Sequence, residues 1–334
     1  MPATVVAIHC RTVTKRAWDP FLVVILATLV FAALLPVQGR AGEVFSWVTW
    51  GAIFLLFFGY GTRLSTAQAW EAVKHWKLHL VILAFTFVTF PLIGIGLLQL
   101  PLLGVSSAVA VGLAFLTIVP STVQSSITFT SIAGGNIPGA MVSATASNLL
   151  GVVLTPVLAI AILPEVGGVP ITWDSLVSVA VQMLLPFVLG QVLRPLLRRF
   201  LEPRRKQLKF YDQFVIVLVV YGAFSSFFAT GVWREVSVVD LLVMTGIALV
   251  VLAFMLWLTW WLGGRLRFNR ADRIAILMCG TKKSLATGVP IASVLFTASA
   301  VGVIVLPLMI FHQAQLMACS AIASRLSRDA EPQV

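Results

Sequence analysis

A succession of long apolar stretches separated by short polar loops constrains the fold of this chain more than any other feature. Charges, proline and glycine cluster between them, and the stretches lie at about 20–38, 44–61, 78–98, 104–133, 137–163, 172–197, 212–230, 238–262, 273–297 and 299–323. A helix needs roughly 20 apolar residues to cross a bilayer. The sequence therefore predicts an all-α integral membrane protein with ten transmembrane helices, of which the fourth and ninth are broken.

The composition supports a membrane location and excludes several other classes of protein. Of 334 residues, 59% are hydrophobic and 10% are charged, too few charged residues to cover a soluble protein of this size. We therefore expect the lipid bilayer as a partner and no separate domain outside it. The net charge of +11 belongs to loops between spans, so no nucleic acid is expected to bind. The three cysteines have no paired spacing that would indicate a disulfide framework or a zinc site.

The distribution of lysine and arginine predicts the orientation of the chain. Cytoplasmic loops of membrane proteins are enriched in both residues. With ten spans, 19 of the 23 basic residues fall on one side of the membrane. They lie before the first span, in the loops that follow the second, sixth and eighth spans (for example 194–209 and 265–273), or after the last span. Arg40 and Arg234 fall on the opposite side, and Lys282 and Lys283 are left inside. We expect cytoplasmic segments at 1–17 and 326–334 and a multi-pass protein of the plasma membrane, the inner membrane if the chain is bacterial.

The chain divides into two halves of five spans each, residues 18–163 and 172–325. Because five is odd, the two halves would enter the membrane from opposite sides and form inverted repeats. The fourth span of the first half contains the polar interruption VPSTVQSS at 119–126, and the corresponding span of the second half contains CGTKKS at 279–284. Interrupted segments at matching positions indicate a transporter's binding site near the membrane midplane. A proline kink and a packing glycine would be the alternative explanation.

Polar residues in two other spans extend the candidate site. Ser143 and Ser147 lie four residues apart in the fifth span, a spacing that suits either close helix packing or ligand binding. Asn148 needs a hydrogen-bond partner in the bilayer, and its amide oxygen could bind a cation or substrate. The last span contains His312, Gln313 and Gln315, which could bond neighbouring helices; His312 could instead face a pore.

Five segments of the sequence resemble one family. They are FFGYGTRLS at 57–65, PSTVQSSITFTSIAGGN at 120–136, SNLLGVVLTP at 147–156, CGTKKSLATGVPIA at 279–292 and LPLMIFHQAQL at 306–316. The chain resembles the bile acid:sodium symporter-like proteins, in particular their divergent branch. The resemblance implies a panel domain of spans one, two, six and seven and a core domain of the others. It also implies that the broken spans cross beside a substrate cavity, and that one domain moves against the other to give alternating access.

The resemblance carries over incompletely at the sodium sites. Sodium-coupled members have a Ser-Asn pair after the proline of the fourth span, where this chain has Ser125 and Ser126, or Ser126 and Ile127 in another register. Ser147 or Asn148 would be the counterpart in the fifth span. Their ninth-span glutamate is replaced here by a methionine at 278, and their Gln-Asn pair by two lysines. Sodium could still bind at Ser126 and Asn148, but we expect weak or absent sodium coupling. No other cofactor is expected.

Lys282 and Lys283 are the least expected residues of the ninth span. They could lie in a cytoplasmic loop, but the apolar stretch from Leu285 to Ala323 is too long for one helix, and two spans there would require a tight break near Ala298. Inside the membrane each ammonium costs roughly 2.5–3.5 kcal/mol, so it needs compensation. Carbonyl groups of the fourth-span break, the C-terminal end of the helix near Gly280, loss of the proton, or an anionic substrate could each provide it. Because consecutive helical residues point about 100° apart, one lysine could tether the crossing while the other faces the cavity.

These observations predict a secondary transporter of a small organic, anionic solute that works by alternating access. The candidate substrate- or ion-binding residues are Thr122, Gln124, Ser125, Ser126, Ser147, Asn148, Lys282, Lys283, Ser284, Thr287, His312 and Gln313. A non-transporting membrane regulator or scaffold with the same fold is the alternative. An intramembrane enzyme is not expected, because the sequence lacks HExxH and GxSxG motifs and paired carboxylates within spans.

Overall fold

The computed structural model describes residues 20–63, 75–163, 165–166, 169–170, 180–231 and 237–328. The predicted terminal segment 1–17 and most of the predicted tail 326–334 lie outside these residues, as does the start of the predicted sixth span, 172–179. Within the described parts the protein is helical, apart from one short hairpin. In it, β1 (Glu165–Val166) pairs antiparallel with β2 (Val169–Pro170).

The described part of the first half contains seven helices. They are α1 (Pro20–Leu34), α2 (Gly39–Arg63), α3 (Trp76–Ala84), α4 (Phe90–Leu97), α5 (Ser107–Ile118), α6 (Gln124–Ile132) and α7 (Ile137–Ile162). A π-helical turn, Phe85–Thr89, connects α3 directly to α4 with no loop between them, and a 3₁₀ turn, Leu100–Leu103, follows α4.

The second half contains six described helices. They are α8 (Leu185–Leu201), α9 (Arg205–Ala229), α10 (Val238–Arg265), α11 (Arg270–Gly280), α12 (Leu285–Leu295) and α13 (Ala298–Arg328). A π-helical turn, Ala180–Leu184, precedes α8, and a 3₁₀ turn, Glu202–Arg204, links α8 to α9.

The surface of the helices confirms an integral membrane protein. Six helices of the described residues are long and apolar enough to cross a membrane. Their outer faces are apolar: Leu242 and Val250 of α10 are each 68% exposed, and Trp47 of α2 is 74% exposed. Such side chains on one long helix after another would be unstable in water but are at home in lipid.

Both predicted interruptions are present, and local sequence explains them. Residues before a proline avoid the helical conformation, and Val119, before Pro120, is extended with ψ 153° where α5 ends. The second break lies between Gly280 and Leu285, where the Ser284 side chain caps α12 by accepting a hydrogen bond from the Thr287 amide. Five residues at the first break and four at the second thus lie between helices in the interior of the protein.

Several helix limits differ from those predicted from hydropathy. The first span was predicted to reach residue 38, but α1 ends at Leu34 because Pro36 follows closely. The seventh was predicted to begin at 212, but α9 already begins at Arg205, and α13 continues past residue 323 to Arg328. Basic residues can continue a helix beyond its apolar stretch, so hydropathy alone underestimates the length of these helices.

Glycines set the closest helix approach in the described fold. Gly61 of α2 faces the Phe187 carbonyl of α8, and Gly190 of α8 faces the Phe58 carbonyl of α2. At both positions a Cβ atom would collide with the backbone of the opposite helix. The pair of glycines therefore lets two helices pack almost backbone to backbone, as small residues do in membranes.

Candidate functional site

The two helix breaks meet at one point in the interior of the protein. The Ser284 amide donates to the Pro120 carbonyl at 2.8 Å, joining the breaks backbone to backbone. Ser121 Oγ donates to the Cys279 carbonyl at 2.7 Å, and Ser126 Oγ donates to the Met278 carbonyl at 3.0 Å. These two carbonyls belong to the C-terminal end of α11, where helix carbonyls lack intrahelical donors. Side chains at the first break thus cap the C-terminal end of α11, where the second break begins.

Helix α7 holds the first break in place. The Ser121 amide donates to Ser147 Oγ at 3.1 Å, and Thr155 Oγ1 donates to the Ile118 carbonyl at 3.0 Å. Gly151 lies directly against the Pro120 ring, where a Cβ atom would come within 2.5 Å of the proline Cβ. Ser147, one of the two serines noted from their spacing in the fifth span, therefore supports the first break through its hydroxyl group.

Lys283 joins the second break to two other segments through its ammonium group. Its Nζ donates to the carbonyl oxygens of Thr117 at 2.6 Å, Val119 at 2.9 Å and Thr86 at 3.1 Å. The side chain is 0% exposed, and the ring of Phe90 lies 4.1 Å from Nζ. An ammonium has three donors, so its hydrogen-bonding capacity is filled by backbone oxygens alone.

Two of these carbonyls are available because regular helix ends there. Thr117 and Val119 stand at the end of α5, where the last carbonyls have no donor one turn ahead. Thr86 lies in the π-helical turn, which interrupts the regular hydrogen-bond ladder of α3 and α4. The site is thus built from irregular backbone, which membrane interiors tolerate only where other groups satisfy it.

The backbone of Lys283 is fixed by α13. Gln315 accepts a hydrogen bond from the Lys283 amide at 2.7 Å and donates to the Lys283 carbonyl at 2.8 Å. His312 Nδ1 lies 3.1 Å from the same carbonyl and 2.9 Å from Gln315 Nε2. A buried side-chain amide that pairs with both backbone groups of one residue sets the conformation of the break.

Lys282 has a different environment from its neighbour. It is also 0% exposed, but its Nζ has no hydrogen-bond partner among the described residues. The ring of Phe129 in α6 lies 4.2 Å from Nζ, a cation–π distance. The burial of both lysines contradicts their placement in a cytoplasmic loop, the alternative left open by the sequence.

Side chains of α7 and α12 form a second polar group beside the crossing. Thr287 Oγ1 donates to Asn148 Oδ1 at 2.6 Å, and Ser284 Oγ lies 3.2 Å from Thr287 Oγ1. Tyr60 of α2 lies beside Thr287, so a helix outside the crossing reaches the same point. Asn148 remains half-buried, whereas Ser284 and Thr287 are buried.

The remaining candidates lie at the start of α6 and on α13. Thr122 Oγ1 lies 2.6 Å from Ser125 Oγ and 3.2 Å from Ser126 Oγ. Gln124 is exposed, and Ser125 is half-buried. His312 and Gln313 are half-buried on α13. The structure therefore brings His312 to the crossing through Lys283, while Gln313 has no described contact with the lysines.

The position where sodium-coupled proteins have a glutamate is apolar here in three dimensions as well. Met278 is 0% exposed and packs with Ala133, Leu277 and Cys319. In the part of the chain that the structure describes, no three His, Cys, Asp or Glu side chains converge. Ser126 and Asn148, the two suggested sodium ligands, each take part in the hydrogen bonds given above.

Sequence reasoning missed several contributors to the crossing, four of which surround Lys283. Thr86 and Thr117 act through backbone oxygens, and Phe90 through its ring, so residue type gave no signal for them. Gln315 was noted in the polar cluster of the last span but was not chosen as a site residue. Its spacing of three from His312 places both on one helix face, which could have identified it.

Comparison with known proteins agrees with the resemblance seen in the motifs. A model of the SBF-like CPA transporter family matches residues 19–328. The chain is 46% identical over 310 residues to "Uncharacterized protein PA2026" of Pseudomonas aeruginosa, covering 93% of each chain. It is 40% identical over 316 residues to "Putative symporter YfeH" of Escherichia coli strain K12, covering 95% of each. It is 30% identical over 315 residues to "Sodium/bile acid cotransporter 7" of Rattus norvegicus, covering 92% of each.

Two of these relatives, the Escherichia coli and the rat protein, are named as transporters rather than enzymes, and two of the three are bacterial. The apolar helices and the bacterial relatives together indicate a multi-pass protein of the inner membrane. The matched family region contains both helix breaks and the residues that join them. The chain therefore belongs to the SBF-like CPA transporter family.

Proposed function

We propose that this protein is a secondary transporter that moves a small organic anion by alternating access and needs no sodium ion. The observation that carries the proposal is the Lys283 ammonium, held by three backbone carbonyls where the two helix breaks meet. In that position the chain supplies its own cation. Because Lys283 is covalently attached, this cation does not leave the crossing with the solute, as a bound sodium ion would.

The charge balance around the crossing favours an anionic solute. Lys282 and Lys283 lie in adjacent positions, and the described residues show a carboxylate–cation pair only at Arg63 and Asp212, on α2 and α9. Two enclosed positive charges without a counter-ion create a potential that attracts anions. Ser125 and Asn148 are half-buried hydrogen-bonding groups, Ser125 next to Thr122 and Asn148 bonded to Thr287, and we assign these two residues to the solute site with Gln124, His312 and Gln313.

We further propose ten spans in two inverted repeats, with α1, α2, α8 and α9 as the panel domain. Packing of α2 against α8, and of α9 against α1 and α2, supports this grouping. Tyr211 and Tyr221 of α9 donate to the carbonyls of Ala52 and Leu35, at 2.8 and 2.7 Å. The remaining helices would form the core, which contacts the panel where α9 packs against α12 and α13.

Both termini are proposed to be cytoplasmic, with the loops near residues 40, 168, 234 and 298 outside. The support is the charge distribution among loops, since 19 basic residues fall on one side and two on the other. The test uses single cysteines in a background without Cys10, Cys279 and Cys319. An Arg205→Cys variant should resist an impermeant thiol reagent applied from outside, and labelling there would contradict the orientation.

Transport is tested with purified protein in two steps. A panel of monocarboxylates, sulfonates and steroid carboxylates is screened for an increase in melting temperature, with uncharged analogues as controls. A stabilising anion is then followed into proteoliposomes in sodium and in choline buffer. We expect equal stabilisation and equal uptake in both buffers. Uptake that rises steeply with sodium would overturn the role of Lys283, and stabilisation without uptake would favour the regulator or scaffold.

The Lys282→Met variant tests whether the enclosed charge attracts the solute. At about 10 Å and an effective dielectric constant of about 20, one charge contributes about 1.7 kcal/mol, more than tenfold in affinity. We expect the variant to fold and to bind the stabilising anion about tenfold more weakly. An unchanged affinity would show that Lys282 does not contribute to solute binding.

A further inference from the structure

A groove away from the crossing opens between the ends of α10, α11 and α13. Its volume is about 570 Å³. The walls are mostly apolar and include Leu256, Trp257, Trp261, Leu277, Ile322 and Leu326. Trp257 and Trp261 are 56% and 43% exposed, so the groove opens onto the apolar outer face of α10 rather than into the protein. An apolar groove on that face is filled by a hydrocarbon chain in a bilayer.

Two arginines stand in this apolar groove. Arg273 lies with its guanidinium 4.1 Å from the Trp260 ring centre and donates to the Trp260 carbonyl at 3.0 Å. Arg265 lies 5.3 Å from the ring centre of Trp261. Gly264 makes room for this arrangement, since a Cβ atom there would come within 3.1 Å of Arg273 Nη2. The tryptophan rings thus hold both guanidinium groups at the groove.

The positive charge of the groove has no carboxylate partner in the described chain. Neither Arg265 nor Arg273 forms an ion pair there, and Arg273 Nε is buried without a hydrogen-bond acceptor. Among the described residues, Asp272 is an acidic residue at this end of the protein, and it accepts hydrogen bonds from Asn136 and Asn269 instead, at 2.6 and 2.8 Å. The planar arrangement of N–H donors in a guanidinium group matches the oxygen atoms of a phosphate group.

We propose that this groove is a binding site for an anionic phospholipid. The phosphate would lie at Arg265 and Arg273, and one acyl chain would follow the groove past Leu277 and Ile322. Basic pockets between membrane helices bind anionic lipid headgroups, and tryptophans mark the depth at which headgroups lie. The combination of an apolar channel with paired arginines distinguishes a lipid from a soluble phosphate, which would gain nothing from the channel.

The test compares two lipids with the same acyl chains on the purified full-length protein. Delipidated protein in neutral detergent is titrated with dioleoylphosphatidylglycerol or dioleoylphosphatidylcholine, and bound lipid is counted by native mass spectrometry. We expect phosphatidylglycerol to bind at least tenfold more tightly. An Arg265→Gln variant should lose this preference. An Arg267→Gln variant, which removes the same charge from a neighbouring residue that does not line the groove, should keep it.

A second pair of variants tests the acyl channel without changing charge. Ile322→Trp fills the groove and should weaken phosphatidylglycerol binding about tenfold, whereas Met317→Trp, on the 74% exposed face of the same helix, should not. Glycerol 3-phosphate at equal concentration should fail to compete. Equal binding of the two lipids, equal loss in the two arginine variants, unchanged binding in Ile322→Trp, or competition by glycerol 3-phosphate would each overturn the proposal.

Discussion

Replacing Lys283 by methionine should destabilise the protein far more than the same change at Lys282. The Lys283 ammonium is the donor for three buried carbonyls, those of Thr86, Thr117 and Val119. A buried carbonyl left without its donor costs roughly 1–3 kcal/mol, which gives roughly 3–9 kcal/mol for three. Methionine fills nearly the same volume and no longer buries a charge, so part of this cost is offset. We expect a net loss of about 3 kcal/mol.

The neighbouring residue provides a matched control. Lys282→Met removes the same charge one residue away, but no hydrogen bond is lost, because Nζ has no partner within the described residues. The change loses one cation–π contact with Phe129, about 2 kcal/mol when desolvated, and gains by no longer burying an unpaired ammonium. These two effects oppose each other, so we expect stability close to that of the parent.

The measurement is the melting temperature of both variants in the same detergent, followed by tryptophan fluorescence. For a chain of this size, 1 kcal/mol corresponds to about 2 °C. Lys283→Met should therefore melt about 6 °C below the parent, and Lys282→Met within about 2 °C of it. If the two variants melt together, the three carbonyl contacts contribute no stability and the tether does not exist in solution.

Three further experiments test helix packing, helix capping and a partly exposed ion pair. Gly61→Ala should lower the melting temperature by more than about 4 °C because its methyl group meets the α8 backbone, whereas Gly51→Ala, with open space around it, should have no effect; equal shifts would refute the close approach. Ser284→Ala removes the cap of α12 and should cost about 1 kcal/mol, measured as a drop of about 2 °C. A double-mutant cycle on Arg63 and Asp212, whose side chains are 34% and 19% exposed, should give a coupling below about 1 kcal/mol that falls further in high salt.

The positions of the helix breaks could be predicted because residue type determines them directly. Pro120 ends the helix that precedes it. The polar residues after Gly280 are costly in an apolar span unless other groups form hydrogen bonds with them. The polar interruptions of two apolar spans therefore located both ends of the crossing. The limits of the outer helices were less predictable, since basic residues such as Arg205 continue a helix beyond the apolar stretch.

The partners of the lysines could not be predicted for a different reason. Lys283 binds backbone oxygens, and every residue has one, so the sequence holds no mark that selects Thr86 over its neighbours. The helical spacing of two adjacent lysines indicated that they diverge, but not which of them meets the end of α5. That depends on how α11 and α12 pack against the first break, which is a property of the tertiary fold.

If the crossing moves as the proposed alternating access requires, the two buried lysines would make it sensitive to the membrane potential. Moving one elementary charge through the whole potential changes the free energy by about 2.3 kcal/mol per 100 mV. A movement of two protonated lysines through about a quarter of the electrical thickness would therefore contribute about 1 kcal/mol at 100 mV. Because the cell interior is negative, the voltage would favour the conformation in which the crossing lies nearer the cytoplasm. Without solute, the protein would then occupy this conformation more often than the opposite one.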